Sequence, residues 1–499
     1  MPIDDYTDLD GLALGVRIVR REASAADALE AALARAARVN PSIRALDAMA
    51  VDRARERAAR LDAELDALPR AARDEALRSR PFAGVPLPLK DLATACVDLP
   101  SSMGSMFFRD VRWDHDSELV ARYRAAGFVP FARSTSPELG LNPSTEVPVY
   151  GGPTRNPWNL AHSSGGSSGG AAAAVAAGIV PVAHASDGLG SIRIPAACCG
   201  LVGLKPTRGL MPLGPSIGEG WGGLATEHVV SRTVRDTAVA LDLTAGADAG
   251  APYAAPAYAP GAGRRAVEEA ARDGAPRLRI ALLDATFDGE PVHPEVAEAV
   301  RGVARALEAL GHRVERDAPR LDTLELLRPA VEIVACGTAM SVDARARALG
   351  RTPREDELTP LIRGAVEVAR GIDASGYLAR LATLHRITRR LAAFWDRYDV
   401  LLTPVLAEPP ALLGRFAMQH ADFIAYRTGP EGTGRYSPFA PLANVTGQPA
   451  MSVPAGLTSG GLPIGAQLIG RFGDDARLLG LAAGLEIARP WTGLAPALG

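Results

Sequence analysis

The sequence predicts one large α/β domain, and three observations carry that prediction. Strand-like and helix-like segments alternate from end to end. Residues 279–317 read as strand, helix, strand, the pattern that builds parallel pairing. No internal repeat is present, and no break in composition is stronger than the Ala-, Pro-, Gly- and Tyr-rich stretch 247–277, which reads as a long surface connection. The 499 residues alone would suggest about three domains. Large α/β proteins exceed that prior, however, and a chain of this size buries enough surface to need no disulfide or metal staple.

The elements follow in order. Residues 24–39 and 51–67 place apolar side chains at helical spacing with Arg and Glu between them, and Ser24 with Asp27 forms a capping pattern at the first. A turn-rich stretch ending at Pro81 leads into GVPLPLKDL, a short apolar segment that can enter a core and deliver Lys90 at its end. Residues 127–133 and 178–184 read as buried strands, and 171–177 as an Ala-rich helix whose small side chains permit close packing. Beyond the connection come a strand at 279–284, a helix at 294–310 and a strand at 312–317. Helices continue to about 396, followed by a strand at 399–405, strand-like segments at 448–454 and 463–469, and a closing helix at 474–488.

Composition excludes several classes. The net charge of −3 lacks the basic excess that a nucleic-acid or anionic-membrane partner would want. Asp4, Asp5, Asp8 and Asp10 have the wrong sign for a signal peptide, and no run of 18 apolar residues exists to span a bilayer. Neither the four cysteines, Cys96, Cys198, Cys199 and Cys336, nor the eight histidines show metal-ligand spacing. The expectation is a reduced, cytoplasmic monomer or homodimer with no metal and no cofactor.

Of the 54 basic residues only Lys90 and Lys205 are lysine, and 52 are arginine. Coding bias explains the 52 but not the two exceptions, and lysine can lose its proton where arginine effectively cannot. Both lysines follow Leu and precede Asp91 or Pro206, which excludes a phosphate-binding P-loop. Leu87 and Val202 stand three residues before them, where a Ser-x-x-Lys acylase needs serine.

Residues 162–209 carry the densest local signal. Gly-x-Ser-x-Gly occurs around Ser167 and around Ser168, but a nucleophile elbow needs a hydrophobic strand before it, and RNPWNLAHSS stands there. The Gly-x-Gly-x-x-Gly at Gly218, Gly220 and Gly223 opens no convincing helix. The second cluster, Asp187-Gly188-Leu189-Gly190-Ser191-Ile192-Arg193, follows an apolar strand and precedes a run that can begin a helix with Pro195 in its first turn. Glycines flanking a serine let backbone N–H groups converge on one point, as an oxyanion hole requires. Ser191 is therefore a candidate nucleophile, with a plain strand-to-helix loop as the alternative.

These residues resemble the amidase signature family of serine hydrolases. Gly-Gly-Ser-Ser-Gly-Gly at 165–170, the nucleophile element at 186–195, Gly203-Leu204-Lys205-Pro206, Gly-Val-Pro-x-x-x-Lys-Asp at 84–91 and the stretch 439–471 all match in order. The resemblance implies a single domain, residues 1–499, with a central mixed β-sheet flanked by helices and a signature core at about 80–235. It places the family's triad on Ser191 as nucleophile, Ser167 on a cis peptide as proton relay, and Lys90 as base. It places the oxyanion hole on the amides of Gly188, Leu189, Gly190 and Ser191. A lysine with an ordinary pKa is neutral only about once in 2,500 molecules at pH 7, so burial must bring Lys90 down. Leu189 stands where the family commonly has glycine, which matters only if the position needs positive φ.

Asp187 and Arg193 are candidates to hold the nucleophile loop, with a surface ion pair as the alternative. Lys205 is expected to bind backbone carbonyls. Asn142, Trp221 and Cys336 are candidates for the wall of the cleft, with core or loop packing as the alternative. A triad through His162 or His184 would leave Lys90 without a role. The expected activity is hydrolysis of C–N bonds in small-molecule amides. The resemblance implies cyclic or linear nylon-type oligoamides, aryl amides or carbamates as the substrate classes, with the glutaminase-like subunit of a tRNA amidotransferase or an inactive binding protein as rivals.

Overall fold

A computed structural model describes residues 3–496. An eight-stranded mixed sheet runs through the molecule in the order Arg313–Arg316, Arg279–Leu282, Val400–Pro404, Pro463–Gly470, Ala450–Leu457, Val202–Lys205, Thr226–Ser231, Val182–Asp187. The first three strands pair in parallel and the remaining neighbours antiparallel. Helices flank this sheet. The α/β architecture therefore stands as expected, including the parallel pairing of the strands on either side of helix Pro294–Ala309.

Helix Ala25–Ile43 begins with a complete Ser24/Asp27 capping box, and helix Val51–Ala67 has the expected bounds. Two expectations are corrected. The strand placed at 178–184 begins only at Val182, because Gly178, at φ +70°, turns the chain out of helix Gly169–Ala176 first. The connection 247–277 contains helix Ala262–Asp273, which packs on the closing helix Asp475–Ala488. Gly263 and Ala270 are its buried positions and Val267 packs against the core, an apolar face at helical spacing among Arg and Glu that was present in the sequence and overlooked.

A second sheet, Leu46–Asp47, Val129–Ser134 and Pro86–Lys90, brings the first lysine inward. Strand Pro86–Lys90 is buried at all five positions, pairs in parallel with Val129–Ser134 and lies against Val182–Asp187. Helix Gly169–Ala176 is buried at every residue, which its glycine and alanine side chains allow, and its start holds the Gly/Ser cluster beside that strand. No helix among the described residues is long and apolar enough to cross a membrane.

Candidate active site

The end of strand Pro86–Lys90, the turn before helix Gly169–Ala176 and the loop after strand Val182–Asp187 meet at one point. Lys90 is completely buried, and its Nζ lies 2.7 Å from Ser167 Oγ, 2.9 Å from Ser186 Oγ and 3.3 Å from Ser186 O. Burial lowers its pKa to about 7, against the opposing pull of the Asp187 and Glu227 carboxylates. The three contacts suit both protonation states. An ammonium donates to all three oxygens, whereas a neutral amine donates two N–H groups to Ser186 and turns its lone pair to the Ser167 hydroxyl.

The Gly166–Ser167 peptide is cis. The two serines of the Gly/Ser cluster are sorted by their partners. Ser167 faces Lys90, while Ser168 Oγ bridges the backbone N–H and C=O of Ser186. Ser191, partly exposed, lines a narrow cleft together with Gly166 and Leu189.

Asp187 and Arg193 are both fully buried, so the alternative of a surface ion pair is set aside. Arg193 Nε and Nη2 reach Asp187 at 2.9 and 3.0 Å, and the guanidinium also donates to Asn444 Oδ1 at 2.6 Å, Gln467 Oε1 at 2.6 Å and Ala440 O at 2.8 Å. Asn444 Nδ2 returns to Asp187 Oδ1 at 2.9 Å. Burial alone would raise the Asp187 pKa, but the Arg193 charge and these hydrogen bonds hold it well below the usual carboxylate range.

The same carboxylate changes the expected oxyanion hole. Asp187 Oδ1 accepts the Gly190 N–H at 2.6 Å and Oδ2 the Ile192 N–H at 3.1 Å, so Gly190 has no free amide to offer. The amides of Gly188, Leu189 and Ser191 have no hydrogen-bond partner among the described residues, and Leu189 and Ser191 both line the cleft. The positive φ of this loop falls on Gly190, at +122°, and not on Leu189. A leucine is accommodated there for that reason.

Of the three candidates for the wall, two line the cleft. Trp221 does so with its ring wedged between the loop that carries Gly188 and helix Thr323–Leu349, where a Cβ at either Gly188 or Gly337 would overlap the indole. Asn142 lines it too, but its amide is committed at both ends, to Phe416 O at 2.7 Å and Tyr426 Oη at 2.6 Å. Cys336 is not on the lining; the Trp221 ring stands instead over its neighbour Gly337.

Lys205 Nζ donates to Pro206 O at 2.8 Å, the carbonyl contact expected of it. His184 sits behind Lys90, its Nδ1 accepting the Lys90 backbone N–H at 3.1 Å, and His162 meets Pro410 O. Neither histidine lies on the lining that contains Ser191.

Sequence reasoning missed Ser186, Asn444 and Gln467. Ser186 was readable in principle, as the neighbour of Asp187 in the same motif. Asn444 and Gln467 stand 251 and 274 residues from Arg193; both lie in the 439–471 stretch that resembles the family, but nothing in that stretch points to Arg193.

The Amidase family profile matches residues 27–479. A 6-aminohexanoate-cyclic-dimer hydrolase of Pseudomonas sp. (strain NK87) is 36% identical over 486 residues, 96% of this chain and 94% of that protein. A solved structure of 6-aminohexanoate cyclic dimer hydrolase complexed with substrate matches over 100% of both chains, with TM-score 0.88 and 32% identity. A bacterial aryl acylamidase of the amidase signature family matches over 97% of each chain, with TM-score 0.85 and 27% identity. With the fold, the buried lysine–serine contact and these likenesses in view, the chain belongs to the amidase signature family and is an amidohydrolase acting on amide carbon–nitrogen bonds.

Proposed function

We propose that this chain hydrolyses oligoamides through an acyl-enzyme on Ser191, with Ser167 as proton relay and Lys90 as base. The observation that carries the reading is the 2.7 Å contact between a fully buried Lys90 Nζ and Ser167 Oγ. With its pKa near 7, about half of Lys90 is neutral at pH 7, a gain of roughly three orders of magnitude over an ordinary lysine.

In the first half-reaction Ser191 Oγ bonds to the amide carbon, and its proton passes through the Ser167 hydroxyl to Lys90 Nζ. The oxyanion rests on the amides of Leu189 and Ser191. The C–N bond then breaks as the proton returns from Lys90 through Ser167 to the departing nitrogen. In the second half, water loses a proton to the same pair and attacks the ester carbon, and the carboxylic acid leaves as Ser191 recovers its proton. Asp187 and Arg193 hold the loop in place and do not touch the substrate.

The likeness to cyclic-dimer hydrolases supports oligoamides over simple anilides and carbamates. A release assay on the isolated protein over nylon oligomers, lactams, anilides and carbamates tests this. Faster turnover of the oligoamides is the expected result, and equal rates on all four would overturn the substrate class. Activity that appeared only with added partner chains would instead indicate an amidotransferase subunit.

A further inference from the structure

The cleft contains two polar groups that this hydrolytic machinery does not use. Arg427, at the end of helix Phe423–Thr428, lines the cleft together with Ser191. Its Nε is buried with no hydrogen-bond partner, its one hydrogen bond is a 3.5 Å reach from Nη1 to Leu141 O, and no carboxylate among the described residues pairs with it. Ser437, on the same lining, is 5% exposed, and its Oγ also lacks a partner. The same lining carries the apolar side chains of Leu141, Leu189, Ile194, Leu327 and Val334.

The two completely buried guanidiniums among the described residues are satisfied. Arg193 has Asp187, Asn444 and Gln467, and Arg133 donates to the carbonyls of Lys90, Thr94, Leu99 and Pro100. Arg427 is the exception within the cleft. Burial pushes its pKa down, yet a guanidinium keeps its proton, so the charge stays and lacks a counter-charge. A ligand carboxylate would meet that need, because its two oxygens match the guanidinium fork.

We infer that Arg427, with Ser437 on the same lining, binds a carboxylate carried by the substrate, so that the enzyme prefers amides with one anionic arm. Linear oligomers of an ω-amino acid and monoamides of a dicarboxylic acid have that chemistry; a neutral cyclic oligomer does not. The inference rests on Ser191 being the reacting serine of this cleft.

Two matched substrate pairs test it. The p-nitroanilides of hexanoic acid and of adipic acid differ by a carboxylate on the acyl arm. N-hexanoyl-hexylamine and N-hexanoyl-6-aminohexanoate differ by one on the amine arm. In at least one pair the carboxylate member should show kcat/KM higher by about tenfold or more, mainly through KM, as a charge-assisted contact would produce. The pair that responds identifies the arm. Arg427→Gln should bring that ratio toward one, and Arg427→Lys should retain part of it. Equal handling of both members in both pairs by the wild type would overturn the inference, as would a wild-type ratio in a folded Arg427→Gln protein. If nothing is cleaved, the proposed hydrolysis fails, and the inference is read from binding. Calorimetric titration of Ser191→Ala with N-hexanoyl-6-aminohexanoate should then show binding that Arg427→Gln removes, and no binding would overturn it.

Discussion

Lys90 and Lys205 have nearly the same electrostatic setting and opposite surroundings. Both are buried, burial brings both to about 7, and Asp187 pulls each back toward the charged form. Around Lys205, Arg193 and Arg208 add to the depression. The difference is what each amine faces. Lys205 Nζ meets the carbonyl of Pro206, which can only accept, so no proton can pass between them. Lys90 Nζ meets the hydroxyl of Ser167, which can donate to a neutral amine and accept from a charged one. A lowered pKa therefore makes an amine available, and only a neighbour with a mobile proton makes it a base.

The contrast can be broken most directly by Lys90→Arg. It keeps a cation that cannot deprotonate, and kcat/KM on an active amide should fall by about 10³–10⁴-fold, as far as with Lys90→Ala. Retention of more than a tenth of the activity would remove Lys90 as the base. Next in size, Arg193→Met leaves Asp187 buried without its partner, and denaturant unfolding should show a loss of about 3–5 kcal/mol. Smaller is Lys205→Arg, which forces a larger group into a closed site and should cost about 1–3 kcal/mol. Its kcat/KM should stay within a few-fold of wild type, and a loss as deep as that of Lys90→Arg would erase the distinction between the lysines.

The pH profile sharpens the comparison with the smallest effect. The proposed base works as the neutral amine, so kcat/KM should rise with pH up to about 7 and level off above it. The same limb should persist in Lys205→Arg, which separates the two groups that share that pKa. Glu227 favours the charged form of Lys90, so Glu227→Gln should move the limb to lower pH. A limb that stayed in place or moved upward would mean that Glu227 does not act on Lys90.

Much of this was legible in the chain. The capping box at Ser24, the apolar run that ends at Lys90 and the strand–helix–strand unit at 279–317 are local patterns, and each appears where its pattern lies. Trp221 was legible as a candidate, though not its seat between Gly188 and Gly337, which depends on two small residues far apart in sequence. The family resemblance places Gly190 among the oxyanion donors. Its N–H is instead spent on Asp187, and its glycine is required by positive φ.

By itself, the sequence determined the residue types the chemistry needs: one amine able to lose a proton at the end of a buried strand, serines among glycines, and an acid and an arginine six residues apart. Those are properties of local composition and spacing. Tertiary structure alone decided which lysine meets a hydroxyl, which amides stay free, that Asn444 and Gln467 close the Arg193 network, and that Arg427 is left without a counter-charge. Each of these depends on groups brought together from distant parts of the chain, where burial removes water and makes the identity of the nearest polar atom decisive.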